Sequence, residues 1–172
     1  YYEDIRDAFF VDCGLSLDTP ISITGITQAA QGVVTAAAHG MENGARVDLS
    51  DIVGMTELNL KQFIVSDKTT DTFKLKDINT EAYIDTSAYT AYVSGGYARE
   101  AVLEVSGLEH LEGEEVTIFA NGNVISGKTV TDGAVTIDNH ASRIHVGKAY
   151  TQDVMTLDFN NYKTDTGTAQ DR

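Results

Sequence analysis

The 172-residue chain has one cysteine, one proline and no tryptophan. A single cysteine cannot close an internal disulfide, and it cannot supply the paired thiolates of a zinc ribbon. Basic residues are also scarce: 12 Lys and Arg face 26 Asp and Glu, for a formal charge of −14. That field repels a polyanion, whose binding depends on neutralising phosphates, so nucleic acid is a poor partner. No stretch approaches the roughly 20 apolar residues of a membrane-spanning helix. The first residue is Tyr1 rather than Met, and a segment of a longer chain or a processed product is expected. What the chain does have is 42% apolar residues, and a chain of this size buries about 70% of its unfolded surface. A core held without crosslinks follows.

The order of those apolar residues has period two. Val33-Val34-Thr35, Ala45-Arg46-Val47-Asp48-Leu49, Gln62-Phe63-Ile64-Val65, Thr72-Phe73-Lys74-Leu75 and Ala91-Tyr92-Val93 are short and rich in β-branched or aromatic residues. So are Ala101-Val102-Leu103-Glu104-Val105, Val116-Thr117-Ile118-Phe119, Lys128-Thr129-Val130, Ala134-Val135-Thr136-Ile137, Arg143-Ile144-His145-Val146 and Met155-Thr156-Leu157-Asp158-Phe159. Each reads as a strand, giving about a dozen in all. Asn121-Gly122 and Asp132-Gly133 are the residues a two-residue type I′ turn requires, so residues 115–138 read as a meander of tight hairpins. Helical periodicity is weak, with short candidates at Glu57-Leu58-Asn59-Leu60 and at residues 3–9. The fold class expected is all-β and antiparallel.

Charge divides the chain unevenly. Residues 21–99 hold nine acids and six bases, a net of −3, and the flanks together hold 17 acids and six bases, a net of −11. The same middle segment carries Ile23-Thr24-Gly25-Ile26-Thr27, Gly32-Val33-Val34-Thr35, His39-Gly40-Met41, Asn43-Gly44-Ala45-Arg46-Val47, Gly54-Met55-Thr56-Glu57-Leu58-Asn59, Asp71-Thr72-Phe73-Lys74-Leu75 and Ser94-Gly95-Gly96. In this order the motifs resemble the small β-barrel module named after the first catalytic-cysteine half-domain (FCCH) of ubiquitin-activating enzymes, a pattern also widespread in phage tail proteins. Their physical reading is structural. Residues 54–59 form a loop that turns Met55 and Leu58 inward, and Gly95-Gly96 permits a bend in a long final strand.

In the flanks, Val11-Asp12-Cys13, Leu108-Glu109-His110-Leu111-Glu112-Gly113, Ile144-His145-Val146-Gly147-Lys148-Ala149-Tyr150 and Gly167-Thr168-Ala169-Gln170 are similar to a segment of bacteriophage tail nozzle and stubby-tail proteins. Cys13 stands where Ser is common in that family. The resemblance implies a discontinuous outer domain, residues 1–20 and 100–160, built as an antiparallel β-sandwich or barrel. Residues 21–99 would be an inserted FCCH-like β-barrel, with residues 8–17 pairing beyond residue 100, and 161–172 a polar tail. It further implies an architectural role in the virion tail, a homo-oligomeric ring, contacts with other tail subunits and a module that touches the host surface.

Candidate chemistry is thin. His39, His110, His140 and His145 match no zinc spacing, and turn or strand hydrogen bonding is the expected role. Glu109, Glu112, Glu114 and Glu115 read as a solvated loop, and Asp48-Leu49-Ser50-Asp51 as a turn, rather than a calcium site or a carboxylate pair. Cys13 reads as a buried small hydrophobe. Ser106-Gly107 and Ser126-Gly127 lack the Gly-x-Ser-x-Gly of a nucleophile elbow. No catalytic, metal or cofactor-binding residue is assigned, and no enzymatic activity is expected. Tyr83, Tyr89, Tyr92 and Tyr97 are the candidate surface contacts, since aromatic rings stack on sugar faces; covering a small core is their ordinary alternative. The other functions weighed are a glycan-binding adhesin module on a phage or bacterial surface and a polysaccharide-cleaving fragment. A ubiquitin-pathway enzyme is disfavoured because no Gly-x-Gly-x-x-Gly loop or catalytic cysteine segment accompanies the FCCH-like pattern.

Overall fold

The computed structural model describes residues 11–150, with side chains from Gly14 onward. The expected strand at residues 155–159, the helical candidate at 3–9 and the polar tail lie outside the described residues, as do the surroundings of Cys13. Twelve strands follow in order: β1 (Val11–Asp18), β2 (Ile21–Ser22), β3 (Gly25–Ile26), β4 (Val33–Thr35), β5 (Arg46–Val53), β6 (Lys61–Ser66), β7 (Thr72–Asp77), β8 (Ser94–Ser106), β9 (Glu115–Ala120), β10 (Asn123–Thr129), β11 (Ala134–Ala141) and β12 (Arg143–Ala149). All their pairings are antiparallel. The fold is all-β, as the period-two pattern requires.

One sheet runs β11-β8-β5-β6-β7-β4-β3, with β2 against β8, and curls into a half-barrel. Alternate residues of its strands point into one cluster, including Val34, Val47, Leu49, Phe63, Val65, Phe73 and Leu75. The loop at 54–59 behaves as its composition implies. Gly54 has φ +98°, where a Cβ would also lie 2.2 Å from the Ala91 carbonyl oxygen, so only glycine fits. Beyond it a 3-10 turn at Thr56–Leu58 buries Met55 and Leu58 completely.

The second sheet, β1-β12-β9-β10, faces the β8–β11 pair across a separate cluster. Val116 and Ile118 from β9, Ile144 and Val146 from β12, Val135 and Ile137 from β11, and Val105 from β8 fill it, with Leu15 and Leu17 of β1 at its edge. That is a two-layer sandwich, closed by β1 pairing with β12.

Three expectations are corrected. Asp48-Leu49-Ser50-Asp51 is not a turn but the middle of β5, paired with β6 on one side and β8 on the other, with Leu49 buried. Ala91-Tyr92-Val93 is not a strand; β8 begins at Ser94. The Val93 amide bonds the Val53 carbonyl, so the segment is tied as a loop against the end of β5. Residues 115–138 are not one meander. Asp132-Gly133 makes the expected tight turn, with φ of +53° and +69° and the Thr131 and Ala134 backbones bonded in both directions. The strands it joins nevertheless part, β10 to β9 and β11 to β8. Turn chemistry fixes the turn, whereas the apolar faces of Val135 and Ile137 decide which sheet receives the strand.

His39 shows how the first cluster closes. It is buried, its Nδ1 accepts the Met41 amide at 3.1 Å, and Nε2 faces the Thr72 carbonyl at 3.3 Å. Acceptance at Nδ1 leaves the proton on Nε2, which donates to Thr72. The ring meets Phe73 edge-on, 5.1 Å between centroids. His39→Ala strands the buried Met41 amide, while the Thr72 carbonyl keeps the Thr69 amide at 2.7 Å, and the expected loss is about 2 kcal/mol. Urea denaturation measures it, and an unchanged midpoint would refute the role.

Candidate functional site

The four tyrosines do not form one platform. Tyr89 and Tyr92 pack against the first core cluster, and the Tyr92 hydroxyl is shared between the Ile23 and Gly95 carbonyls at 3.1 and 3.0 Å. Tyr83 is half-buried. Its hydroxyl donates to Asp67 at 3.1 Å, and the Lys76 and Lys74 ammoniums lie 4.8 and 5.5 Å from its ring centroid. Tyr97 remains exposed, with the Arg99 guanidinium carbon 5.3 Å from its ring. Among the described residues none of the four rings stacks on another.

A denser arrangement lies where the half-barrel meets the sandwich. Cross-strand register places Arg99 of β8, Asp48 of β5 and Gln62 of β6 in one row. Arg99 is buried, and a guanidinium withdrawn from water must be paired. Its Nε donates to Asp18 at 2.7 Å and its Nη1 to Ser50 Oγ at 2.9 Å. The Asp48 carboxylate accepts from Gln62 (2.9 Å), from Asn121 (3.1 Å) and from the Ser142 hydroxyl (2.7 Å). Asn121 in turn accepts the Ser142 and Arg143 amides. This seam ties β1, the β9–β10 turn and the start of β12 to the outer face of β5.

Beside it opens a cleft of about 260 Å³, whose walls include Leu49, Ser50, Leu60, Lys61, Arg99 and Arg143. Leu60 is 91% exposed and sits at φ +59°. That backbone region is strained for a bulky side chain, and the Leu60 amide is held there by the Leu49 carbonyl at 2.9 Å. The cleft offers positive charge, hydrogen-bond donors and an apolar lip. Asp48 also lines it, but its carboxylate is already accepting three bonds.

The remaining sequence candidates serve local structure. Glu112 accepts the Asp132 and Gly133 amides, Glu114 pairs with Lys148, and Ser16 bonds His145 at 2.6 Å. Asp51 accepts from Ser50. Burial and the nearby Arg46 charge hold His140 below the usual imidazole value, against the opposing pull of Asp48. Sequence reasoning passed over Arg99, Lys61 and Arg143. The one signal for Arg99 is a lone cation between Ala98 and Ala101 in a strand.

Four carboxylates of the half-barrel loops are held below their ordinary values. Thr90's amide does so for Glu57, Lys74 and then Tyr83 for Asp67, the Thr80 and Asn79 amides for Asp77, and Ser87 for Asp85. A carboxylate depressed on folding contributes stability that is present above its unfolded value and lost as pH falls through its folded one. The loops at 77–92 are therefore expected to lose amide protection below the ordinary carboxylate range, before β9 and β12 do. Hydrogen exchange at stepped acid pH measures this, and simultaneous loss would contradict it.

The family model for the ubiquitin-activating enzyme E1 FCCH domain matches residues 29–102, a stretch from before β4 into β8. No curated protein matches the chain. The first core cluster begins earlier than the matched stretch, at Ile23 and Ile26. The half-barrel of this chain is thus FCCH-like, and its packed core extends past the matched residues at the N-terminal side.

Proposed function

We propose that the chain is an architectural, non-enzymatic segment of a bacteriophage tail protein of the nozzle or stubby-tail kind. In this reading the FCCH-like module is an insertion, residues 21–99, carried by a sandwich made from residues 1–20 and 100–160. One observation carries the reading: the flanking motifs that resemble nozzle proteins do scaffolding work. Leu108 just before a 3-10 turn and Leu111 at its end are buried, and Glu112 caps the Asp132-Gly133 turn. Ile144-His145-Val146-Gly147 forms β12, the strand bonded to both β1 and β9. Residues engaged in packing and turn closure suit a part whose task is to hold a shape.

The full-length protein would act as a homo-oligomeric ring among other tail subunits, with the module outward and exposed Tyr97 on its surface. Purified virions of the phage encoding the chain provide the test. Mass spectrometry of tails separated from capsids is expected to return peptides from both β5–β7 and β9–β12. Their absence from virions would overturn the proposal.

A further inference from the structure

The cleft beside Arg99 is unusual in how its charges are left. The described residues include nine Lys and Arg. Five are in ion pairs: Lys68, Lys74, Arg99, Lys128 and Lys148. Arg46 donates to Gln62, and Lys76 lies over the Tyr83 ring. The two whose side chains have no such partner among the described residues, Lys61 and Arg143, line the same cleft. In a chain with more than twice as many acids as bases, two cations without an ion pair at one place are not a product of composition; the charge of Lys61 is felt by Glu57, whose carboxylate is already held by the Thr90 amide and hydroxyl.

The local balance sets the valence of a ligand. Lys61, Arg99 and Arg143 bring three positive charges; Asp48 on the wall and Asp18, the partner of Arg99, offset two. Among the wall groups and the ion-pair partner of Arg99, one positive charge is left over, which suits a monoanion. The distant acids that make the whole chain negative are screened beyond about 10 Å at ordinary salt. Leu60 gives the wall an apolar part, and the cleft of about 260 Å³ is below the roughly 300 Å³ at which drug-sized pockets begin. Leu60 adds an independent sign. Its strained backbone holds an apolar side chain in solvent at the rim, an arrangement that folding alone disfavours and that a ligand's apolar body would cover.

We infer that this cleft binds a small organic carboxylate, its charge between Lys61 and Arg143 and its carbon skeleton against Leu60. A guanidinium matches a carboxylate in shape as well as charge. The site does not depend on where the chain is assembled, so it stands apart from the tail reading.

Calorimetric titration of the intact chain at low salt is the test, with glucuronate and hexanoate as carboxylates from two sources and glucose and sulfate as controls. Saturable low-millimolar binding of a carboxylate is expected, with none for glucose and weaker binding for sulfate. Preference for glucuronate assigns a sugar acid, and preference for hexanoate an aliphatic one. Lys61→Gln with Arg143→Gln, both at exposed positions, should weaken binding about tenfold or more without moving the melting temperature. Leu60→Gly should raise that temperature while lowering affinity. No carboxylate binding, equal binding of sulfate, or an unchanged affinity in the double variant would overturn the inference.

Discussion

The strand β8 is the member on which both cores are built. Its 13 residues, extending about 40 Å at strand rise, pair first with β2 and β5 and then, from Val102, with β11. A continuous hydrogen-bonded strand does not swivel as a loop linker does, so the half-barrel is fixed in direction where it leaves the sandwich. The start of the strand meets the first core closely. Gly96 has φ +98°, and a Cβ there would fall 2.7 Å from the Ile52 side chain. Ala98, two residues on, is fully buried.

Around β8 the junction is polar rather than apolar. The Asp18–Arg99–Ser50 chain and the Asp48 carboxylate with its three donors occupy the region between the two apolar clusters. Hydrogen bonds are directional, so such a seam sets orientation where a greasy contact would permit sliding. The partly exposed Asp18 carboxylate makes the pair worth less than a fully buried one, and its value lies in register. The uneven charge along the sequence has a related meaning. The half-barrel, at −3 over residues 21–99, carries half of the bases, and several of them are committed within it: Lys68 to Glu42, Lys74 to Asp67, and Lys76 to the Tyr83 ring.

What was legible in the sequence was whatever depends on near neighbours. Alternation at Val47-Asp48-Leu49 and at Val116-Thr117-Ile118 marked strands and their buried faces, and Asp132-Gly133 marked its turn. Residues 54–59 announced a loop that turns Met55 and Leu58 inward. Strand partners were less accessible, because β11 leaves the turn for β8 on the strength of a core assembled from distant segments. The site was least legible. Arg99 finds Asp18 across 81 positions, and the Tyr92 hydroxyl finds Ile23 across 69. The tyrosine cluster left surface contact and core cover both open; two of the four rings pack on the core, one is tied to Asp67 and Tyr97 is exposed. The cleft had no motif at all, since it exists only where β5, β6, β8 and β12 converge.

Whether β8 and its seam make the two cores one cooperative unit is open to direct measurement by urea-dependent hydrogen exchange, followed separately in peptides from β5–β7 and from β9 and β12. The account predicts that both sets lose protection at the same urea concentration in the parent chain, and that Arg99→Leu separates them. A half-barrel that stays protected in the parent chain while β9 and β12 exchange would contradict it.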